Sequence, residues 1–263
     1  MKIFWSFARQ SFQFISAYRF NFFMEFVLVL LRMYGIYWVW RVLYTQSPGA
    51  FGVDLGQMVT YGVMGMALEL FIWSRPQWYM ANQVKSGAID TDLMKPMDFH
   101  FYMLARSVGE VLTSIAVLAV PALLTAYLLL DVRLPPDLAS GLMFVASLIL
   151  GFLLLFHLNF LLGSMSVVAL DIRHINWAYF SMVRFLGGQI VPLWLFPDLL
   201  RVIAEALPFK GTYFIPISIY IGQLRGVEAL RALEFQLVWL VVLVLLSRML
   251  WGWAHRRLVV QGG

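Results

Sequence analysis

The side chains in this sequence that could carry out chemistry are few and widely spaced. The four histidines are scattered along the chain, at His100, His157, His174 and His255. There is no Gly-rich phosphate loop followed by Lys and Ser or Thr, no His-Glu-x-x-His motif and no Gly-x-Ser-x-Gly motif. The absence of cysteine excludes disulfides, thiolate zinc sites and a Cys nucleophile. We therefore predict no catalytic residue, no metal site and no cofactor in this chain, and we predict that it is not itself an enzyme.

One acidic pair, Asp90 and Asp92, lies between Lys85 and Lys95 in a polar stretch. A membrane-embedded acyl or glycosyl transferase would place such a pair in a loop at the membrane surface. Charges of both signs so close together are more typical of a surface that contacts another protein. The contact surface is therefore favoured, and the transferase stays as an alternative.

The composition indicates that most of the chain lies in a membrane. Hydrophobic residues make up 62% of the sequence and charged residues 13%, whereas soluble domains average about 45–50% and about 25%. The mean hydropathy of +0.80 is spread over the whole length, so the apolar residues belong to several spans. The net charge of +5 is explained by Lys and Arg on the cytoplasmic side of a membrane, and we expect no binding to nucleic acid.

Six transmembrane helices are predicted, so the expected fold is an all-α integral membrane domain that comprises residues 1–263. The predicted spans are residues 20–43, 55–73, 104–130, 138–170, 177–196 and 235–251. Each is near or above the roughly 20 residues that a helix needs to cross a bilayer. Twelve of the 19 Lys and Arg residues fall on the side that holds both termini. Both termini are therefore predicted to be cytoplasmic, and the chain to lie in the cytoplasmic (inner) cell membrane.

Residues 1–19 are predicted to form a helix in the plane of the membrane surface. Their polar residues follow one stripe of a helix, and aromatic residues cover the rest: Lys2, Ser6, Arg9, Gln13 and Ser16 form the stripe. The alternative is a cytoplasmic extension of the first span.

Two of the connecting segments are long. Residues 74–103 are predicted to be cytoplasmic and residues 197–234 external. Neither reaches the roughly 50 residues of a small independent domain, so the energy source is expected in another polypeptide. The external segment is half apolar and is interrupted by Pro197, Pro208 and Pro216. Short apolar helices broken in this way are typical of re-entrant segments, and we predict one that enters the outer leaflet.

The cytoplasmic segment holds the most informative pattern in the sequence. A helix is predicted to end at Gly87, Asp90 or Asp92 is predicted to cap the following turn, and Pro96 comes next. A short amphipathic helix between two spans would dock a soluble partner, and a loop that only connects the spans is the alternative. The candidate docking residues are Val84, Lys85, Gly87, Ile89, Asp90, Leu93, Lys95 and Pro96.

Two stretches of the chain resemble one family. The first resembles the cytoplasmic loop of type 2 ATP-binding-cassette (ABC) exporter permeases, in the subgroup of similar length without a fused ATPase: Lys85-x-Gly87-x-Ile89-Asp90-x-x-Leu93-x-Lys95-Pro96. The second is similar to that family's segment between the fifth and sixth spans: Gly188, Pro192, Phe196-Pro197, Leu207-Pro208-Phe209, Tyr213 and Pro216.

The resemblance implies a permease subunit that exports a substrate not identified by the sequence. In that family each half has six spans with cytoplasmic termini, and two halves, identical or similar, form the pore. A coupling helix after the second span inserts into an ATPase subunit, expected in two copies, and ATP and Mg are bound there. The Glu-Ala-Ala loop with a following Gly that is usual in importer permeases is missing from the sequence, which favours export.

The alternative function is a secondary transporter or channel that works without an ATPase. Such proteins often consist of two related halves with broken helices at matching positions. No internal repeat is found in this sequence, so the permease is favoured.

Six polar residues fall within or near the predicted spans, where a charged group costs roughly 2.5–3.5 kcal/mol at a helix centre: Glu25, Arg32, Glu69, Glu110, His157 and Asn159. The first two are seven residues apart, and each is expected to meet a charge on another helix or across a dimer. The two glutamates near the cytoplasmic ends are expected to reach water in preference to substrate. The last two are expected to form hydrogen bonds between helices in preference to a proton relay.

Overall fold

The computed structural model describes residues 19–47, 49, 51–72, 74–169 and 173–257. Within these ranges every regular element is helical and there is no strand, which confirms the all-α class. The predicted interfacial helix lies outside the described residues except for residue 19, as does the end of the predicted second span at residue 73.

Eleven α-helices are found in the described part of the chain. They are α1 (Arg19–Gln46), α2 (Leu55–Phe71), α3 (Pro76–Ser86), α4 (Ile89–Leu93), α5 (Phe99–Ser114), α6 (Val120–Leu129), α7 (Leu138–Met165), α8 (Arg173–Leu186), α9 (Asp198–Ala206), α10 (Phe214–Tyr220) and α11 (Gly226–Ala254). A π-helical turn, Ile115–Ala119, joins α5 and α6 into one continuous helix. Short 3-10 turns lie at Leu193–Leu195, Pro208–Gly211 and His255–Arg257.

Five helices in the described ranges are long and apolar enough to cross a membrane. They are Phe23–Gln46, Leu55–Ser86, Phe99–Leu129, Leu138–Met165 and Gly226–Arg257. The second of these segments includes both α2 and α3, and the third includes α5 and α6. These helices make the chain a multi-pass membrane protein. The layout of six spans is not confirmed.

The predicted fifth span, residues 177–196, is wrong as a single helix. Helix α8 has 14 residues, which at 1.5 Å per residue gives about 21 Å, short of the roughly 30 Å of a hydrocarbon core. It ends before Gly187, and Gly188 has a φ of +71°, a left-handed conformation that terminates a helix. Residues 189–196, which raised the hydropathy of the predicted span, form a turn and do not continue the helix.

The boundaries of other predicted spans also move. Helix α11 begins at Gly226, nine residues before the predicted start, because Glu228 and Glu234 are on its exposed surface and do not interrupt it. Residues 226–234 therefore belong to this helix and not to the predicted external segment. Helix α5 begins earlier than predicted because Asp98 caps it, with Oδ1 accepting from the Phe101 N–H at 3.0 Å.

The bundle has two ends, which we name by their residues. The loop end holds residues 74–98. The opposite end holds Asp54 and Arg133, whose side chains form an ion pair at 2.9 Å. Asp54 begins α2 with a reciprocal capping box to Gln57.

The core is built around the long helices α7 and α11, which run parallel, since Ser147 meets Gln236 and, further along both helices, His157 meets Ser247. Gln236 of α11 is fully buried, and its Nε2 donates to the Ser147 carbonyl at 3.0 Å and to the Gly211 carbonyl at 2.7 Å. The Ser147 hydroxyl donates back to Gln236 Oε1 at 2.9 Å. A second part of the core packs Met33 and Ile36 of α1 against α2.

Helices α9 and α10 and the 3-10 turn between them form a hairpin within the bundle. The turn meets the middle of α7, where a Cβ on Gly151 would lie 2.9 Å from the Gly211 carbonyl oxygen. Helix α10 then returns to the opposite end, where the Ile221 carbonyl accepts from Gln57 Nε2 at 3.2 Å. The hairpin thus reaches half the depth of the bundle, and its position in the outer leaflet stays a prediction.

Candidate functional site

The segment between α2 and α5 folds as two short helices around a glycine. Pro76 occupies the first turn of α3, where its missing N–H costs nothing. Gly87 ends α3 with a φ of +72°, and its N–H donates to the Val84 carbonyl at 3.2 Å. The following helix α4 is a single turn, capped by Ala88 without a side-chain hydrogen bond. The prediction that Asp90 or Asp92 caps this turn is wrong.

Asp92 is the centre of a hydrogen-bond network that fixes the loop. Its Oδ2 accepts from the Tyr79 hydroxyl at 2.7 Å and from Gln83 Nε2 at 2.9 Å, and its Oδ1 accepts from Lys95 Nζ at 2.7 Å. Lys95 also lies over the ring of Tyr102, 3.8 Å from its centroid. The network ties the loop to both α3 and α5.

The charge of Asp92 is stabilised by these donors. Burial acts to raise the pKa of the Asp92 carboxyl, but the hydrogen bonds from Lys95, Gln83 and Tyr79 outweigh it and leave the pKa below its ordinary value. Burial acts to lower the pKa of Lys95, and its contacts with Asp92 and Tyr102 outweigh that effect and leave the pKa raised. Both groups are therefore charged at neutral pH.

The predicted docking residues divide by exposure. Lys85, Gly87, Leu93 and Pro96 are exposed, whereas Val84, Asp90 and Lys95 are half-buried and Ile89 is buried. Ile89 and Lys95 therefore hold the loop in place, and Lys95 does so through Asp92.

Met94 is the most exposed of the large apolar residues in the loop. It is 83% exposed, and Leu93 and Met97 beside it are exposed as well. These three residues form an apolar tip on a fixed loop, and we name Leu93, Met94 and Met97 the loop tip.

A second polar cluster lies where α2 meets the end of α8. Glu69 pairs with Arg184, and Gln189 Nε2 donates to Glu69 Oε2 at 3.1 Å and to the Gly65 carbonyl at 3.1 Å. The Glu69 side chain is only 8% exposed. The prediction that Glu69 reaches water is therefore wrong, because its carboxylate is buried and forms an ion pair with Arg184.

The chain after α8 packs closely on α2. The Tyr61 hydroxyl donates to the Gly188 carbonyl at 2.5 Å. A Cβ on Gly65 would lie 2.1 Å from the Gln189 carbonyl oxygen, so only glycine fits there. This contact and the ion pair fix the turn that ends α8.

The other predicted intramembrane residues have separate surroundings. Glu110 pairs with Arg106 at 3.1 Å on the same helix. His157 Nδ1 and the Ser247 hydroxyl share a hydrogen bond of 3.0 Å between α7 and α11. Asn159 joins three segments, since Nδ2 donates to the Ser74 carbonyl at 3.0 Å and Oδ1 accepts from the Tyr179 hydroxyl at 2.8 Å.

Glu25 and Arg32 both lie on α1. Glu25 is half-buried and Arg32 is exposed. Arg32 lies at the middle of the helix Arg19–Gln46, and its side chain is exposed although Ile36, four residues further on, is buried.

The predicted residues of the re-entrant segment all lie at breaks between helices or in their first turns. Gly188 follows α8, Pro192 precedes the 3-10 turn Leu193–Leu195, and Pro197 is the cap of α9. Pro208 opens the 3-10 turn of the hairpin, and Pro216 is in the first turn of α10.

Sequence reasoning missed the partners of these residues more than the residues themselves. It did not pair Glu69 with Arg184, although Arg184 falls within the predicted span 177–196. It did not anticipate that Gln189 and Gln236 would satisfy backbone carbonyls in the core. A polar amide within an apolar run is the signal that could have identified them.

Comparison with known proteins gives one match. The model of a family described as ABC-2 family transporter protein matches residues 30–262. No curated protein and no solved structure matches the chain.

Proposed function

Since the chain belongs to the ABC-2 transporter family, we propose that it is the membrane-spanning permease subunit of an exporter whose ATPase is a separate polypeptide. Membership in the family makes the chain a membrane transport component. The proposal adds that it lies in the cell membrane with both termini in the cytoplasm, that two permease copies or two similar chains form the pore, and that two ATPase subunits bind ATP and Mg. The substrate stays open.

The loop tip is the observation that carries the proposed coupling to an ATPase. Three exposed apolar side chains on a loop fixed by Asp92 are suited to insertion into a groove of a soluble partner. A rigid loop transmits the movement of such a partner to the helices that hold it. Here those helices are α3, which packs on α7, and α5.

In this proposal α3 transmits movement of the loop to α7, because the two helices pack closely. A Cβ on Gly163 of α7 would lie 2.7 Å from Met80 Sδ and 2.9 Å from the Gln77 Cα atom. Helices in such close contact move together and not past each other. Asn159 adds a hydrogen bond to the Ser74 carbonyl just before α3. Displacement of the loop tip would therefore move α7.

The exposed charge of Arg32 supports a transport pathway between two copies of the permease. An Arg at a helix centre that faces lipid costs roughly 2.5–3.5 kcal/mol on insertion scales, and no residue of the described chain is seen to bury it. We place this side of α1 toward the second permease copy or the water-filled pathway. Replacement of Arg32 by Leu should then lower transport without lowering membrane insertion.

Site-specific cross-linking tests the coupling. The chain has no cysteine, so Met94→Cys creates a unique attachment point for a benzophenone maleimide. Illumination of membranes from the native host should give an adduct that contains an ABC ATPase. The matched control is Leu134→Cys, because Leu134 is 66% exposed at the opposite end. An ATPase adduct from both positions, or from neither, would contradict the proposal.

A further inference from the structure

A cavity of about 270 Å³ opens between the start of α3 and one face of α8. Arg75 and Gln77 line it from the α3 side, and Asn176, Phe180 and Arg184 line it from α8. The α8 residues are four apart, which places them on one face of the helix. The cavity belongs to the loop end of the bundle but is separate from the loop tip.

Two polar atoms of the cavity residues have no hydrogen-bond partner in the part of the chain that is described. Gln77 is only 1% exposed; its Nε2 donates to Asn176 Oδ1 at 3.1 Å, and its Oε1 accepts from nothing. The buried Nε–H of Arg184 donates to nothing, although its terminal nitrogen pairs with Glu69. Buried polar atoms are normally paired, so the cavity offers one acceptor and one cationic donor to a ligand.

Both arginines are held against one aromatic ring. The guanidinium carbon of Arg184 lies 4.4 Å from the centroid of Phe180, and that of Arg75 lies 5.7 Å from it. None of the described residues that line the cavity is acidic. Two guanidinium groups that line one cavity favour a phosphate, since the planar donors of Arg match its oxygens.

The size of the cavity and its surroundings indicate an amphiphile. Sites that enclose a whole small molecule measure about 300–1,000 Å³, so this cavity holds a headgroup and leaves any chains outside. Beside the cavity, α8 carries the exposed apolar residues Trp177, which also lines the cavity, and Phe185. Acyl or prenyl chains would lie along these residues.

We propose that this cavity binds the phosphate headgroup of an anionic membrane amphiphile, with the phosphate on Arg75 and Arg184 and a headgroup hydroxyl donating to Gln77 Oε1. The inference rests on the proposed function in one respect, which is that the loop end faces the cytoplasmic leaflet. Basic pockets between helices at that depth bind anionic lipid headgroups. The ligand class would be the same for a resident lipid and for a transported lipid-linked compound.

Binding of defined lipids to the purified full-length chain tests the proposal. Dioleoylphosphatidylglycerol, dioleoylphosphatidylcholine and glycerol 3-phosphate are added in detergent, and bound lipid is counted by native mass spectrometry. Because removal of Arg184 alone would leave Glu69 buried and unpaired, the variant is the neutral pair Glu69→Gln/Arg184→Gln. The matched control is Arg201→Gln/Glu205→Gln, which removes an exposed ion pair of 2.8 Å on α9.

One phosphatidylglycerol should bind to the wild type and to the control variant. The neutral pair should weaken that binding about tenfold, because a charge-assisted hydrogen bond is lost. Phe180→Ala, which removes no polar partner, should also weaken it. Equal binding by all four proteins, or equal affinity for phosphatidylcholine, would overturn the proposal.

Glycerol 3-phosphate separates a lipid headgroup from a free phosphate compound. It should fail to displace phosphatidylglycerol at equal concentration, since it lacks chains to lie on α8. Displacement at equal concentration would overturn the assignment to an amphiphile. The measurement uses the chain alone, so its failure would leave the cross-linking result at Met94 unaffected.

Discussion

Replacement of Arg184 by Gln removes the cation that forms an ion pair with the buried carboxylate of Glu69. The Glu69 side chain is 8% exposed and the Arg184 side chain 35%. The two partners therefore differ in what happens when one is lost. Arg184 without Glu69 still reaches water, whereas Glu69 without Arg184 is a buried charge with a single hydrogen bond from Gln189.

The structure sets the size of the effect. Removal of one partner from a buried ion pair costs about 3–5 kcal/mol. The partial exposure of Arg184 and the remaining bond from Gln189 reduce this to about 2–3 kcal/mol. At about 2–4 °C per kcal/mol for a chain of this size, Arg184→Gln should lower Tm by about 4–12 °C. Glu69→Gln should cost about 1 kcal/mol, since a neutral hydrogen bond replaces a charged one.

The assay is loss of the monodisperse peak on size-exclusion chromatography after heating of the detergent-purified protein. Wild type, Glu69→Gln, Arg184→Gln and the double variant form a double-mutant cycle. The double variant should be more stable than Arg184→Gln, because the buried site is then neutral. An Arg184→Gln protein at least as stable as Glu69→Gln, or two effects that simply add, would refute the reasoning.

Three further predictions concern the loop and the turn after α8. Gly87→Val should reduce transport in cells while Gly87→Asn retains most of it, because a left-handed residue costs about 1–2 kcal/mol for an ordinary side chain and less for Asn. At pH values above about 3.9, the ordinary pKa of an Asp carboxyl, the Asp92 network stabilises the loop. This stabilisation is lost as the pH falls through the pKa of Asp92 in the folded protein, which is lower than the ordinary value. Pepsin should therefore cleave the wild-type loop only below about pH 4, but an Asp92→Asn loop already at about pH 5. Gly65→Ala should lower the stability by about 1–3 kcal/mol by forcing a Cβ onto the Gln189 carbonyl; its thermal midpoint is compared with that of Gly141→Ala, where nothing lies within 4 Å.

The sequence predicted the long helices well because their apolar runs are nearly uninterrupted. Helices α1, α2 and α7 begin within a residue of their predicted starts. The fifth predicted span was wrong because hydropathy adds apolar residues without regard to backbone direction. Residues 190–196 are apolar, but Gly188 has already turned the chain away from the axis of α8.

The candidate site was predictable where a residue acts through its own backbone. Gly87 was expected to end a helix, and its positive φ requires a glycine or a similarly tolerant residue. The role of Asp92 was not predictable, because Tyr79 and Gln83 come from a different helix. The pairing of Glu69 with Arg184 joins residues 115 positions apart, and no periodicity in one sequence records such a contact. Met94 carried no signal, since exposure alone distinguishes it from the other methionines.

Co-purification from the native host tests most directly whether this permease works with a separate ATPase. The full chain is isolated in mild detergent as wild type, as Met94→Asp and as Leu134→Asp, which changes an equally apolar exposed residue at the opposite end. We predict that an ABC ATPase, detected by mass spectrometry and by ATP hydrolysis, is recovered with wild type and Leu134→Asp and is lost with Met94→Asp. Recovery of the wild-type chain without any ATPase, or equal recovery of the ATPase with Met94→Asp, would contradict this prediction.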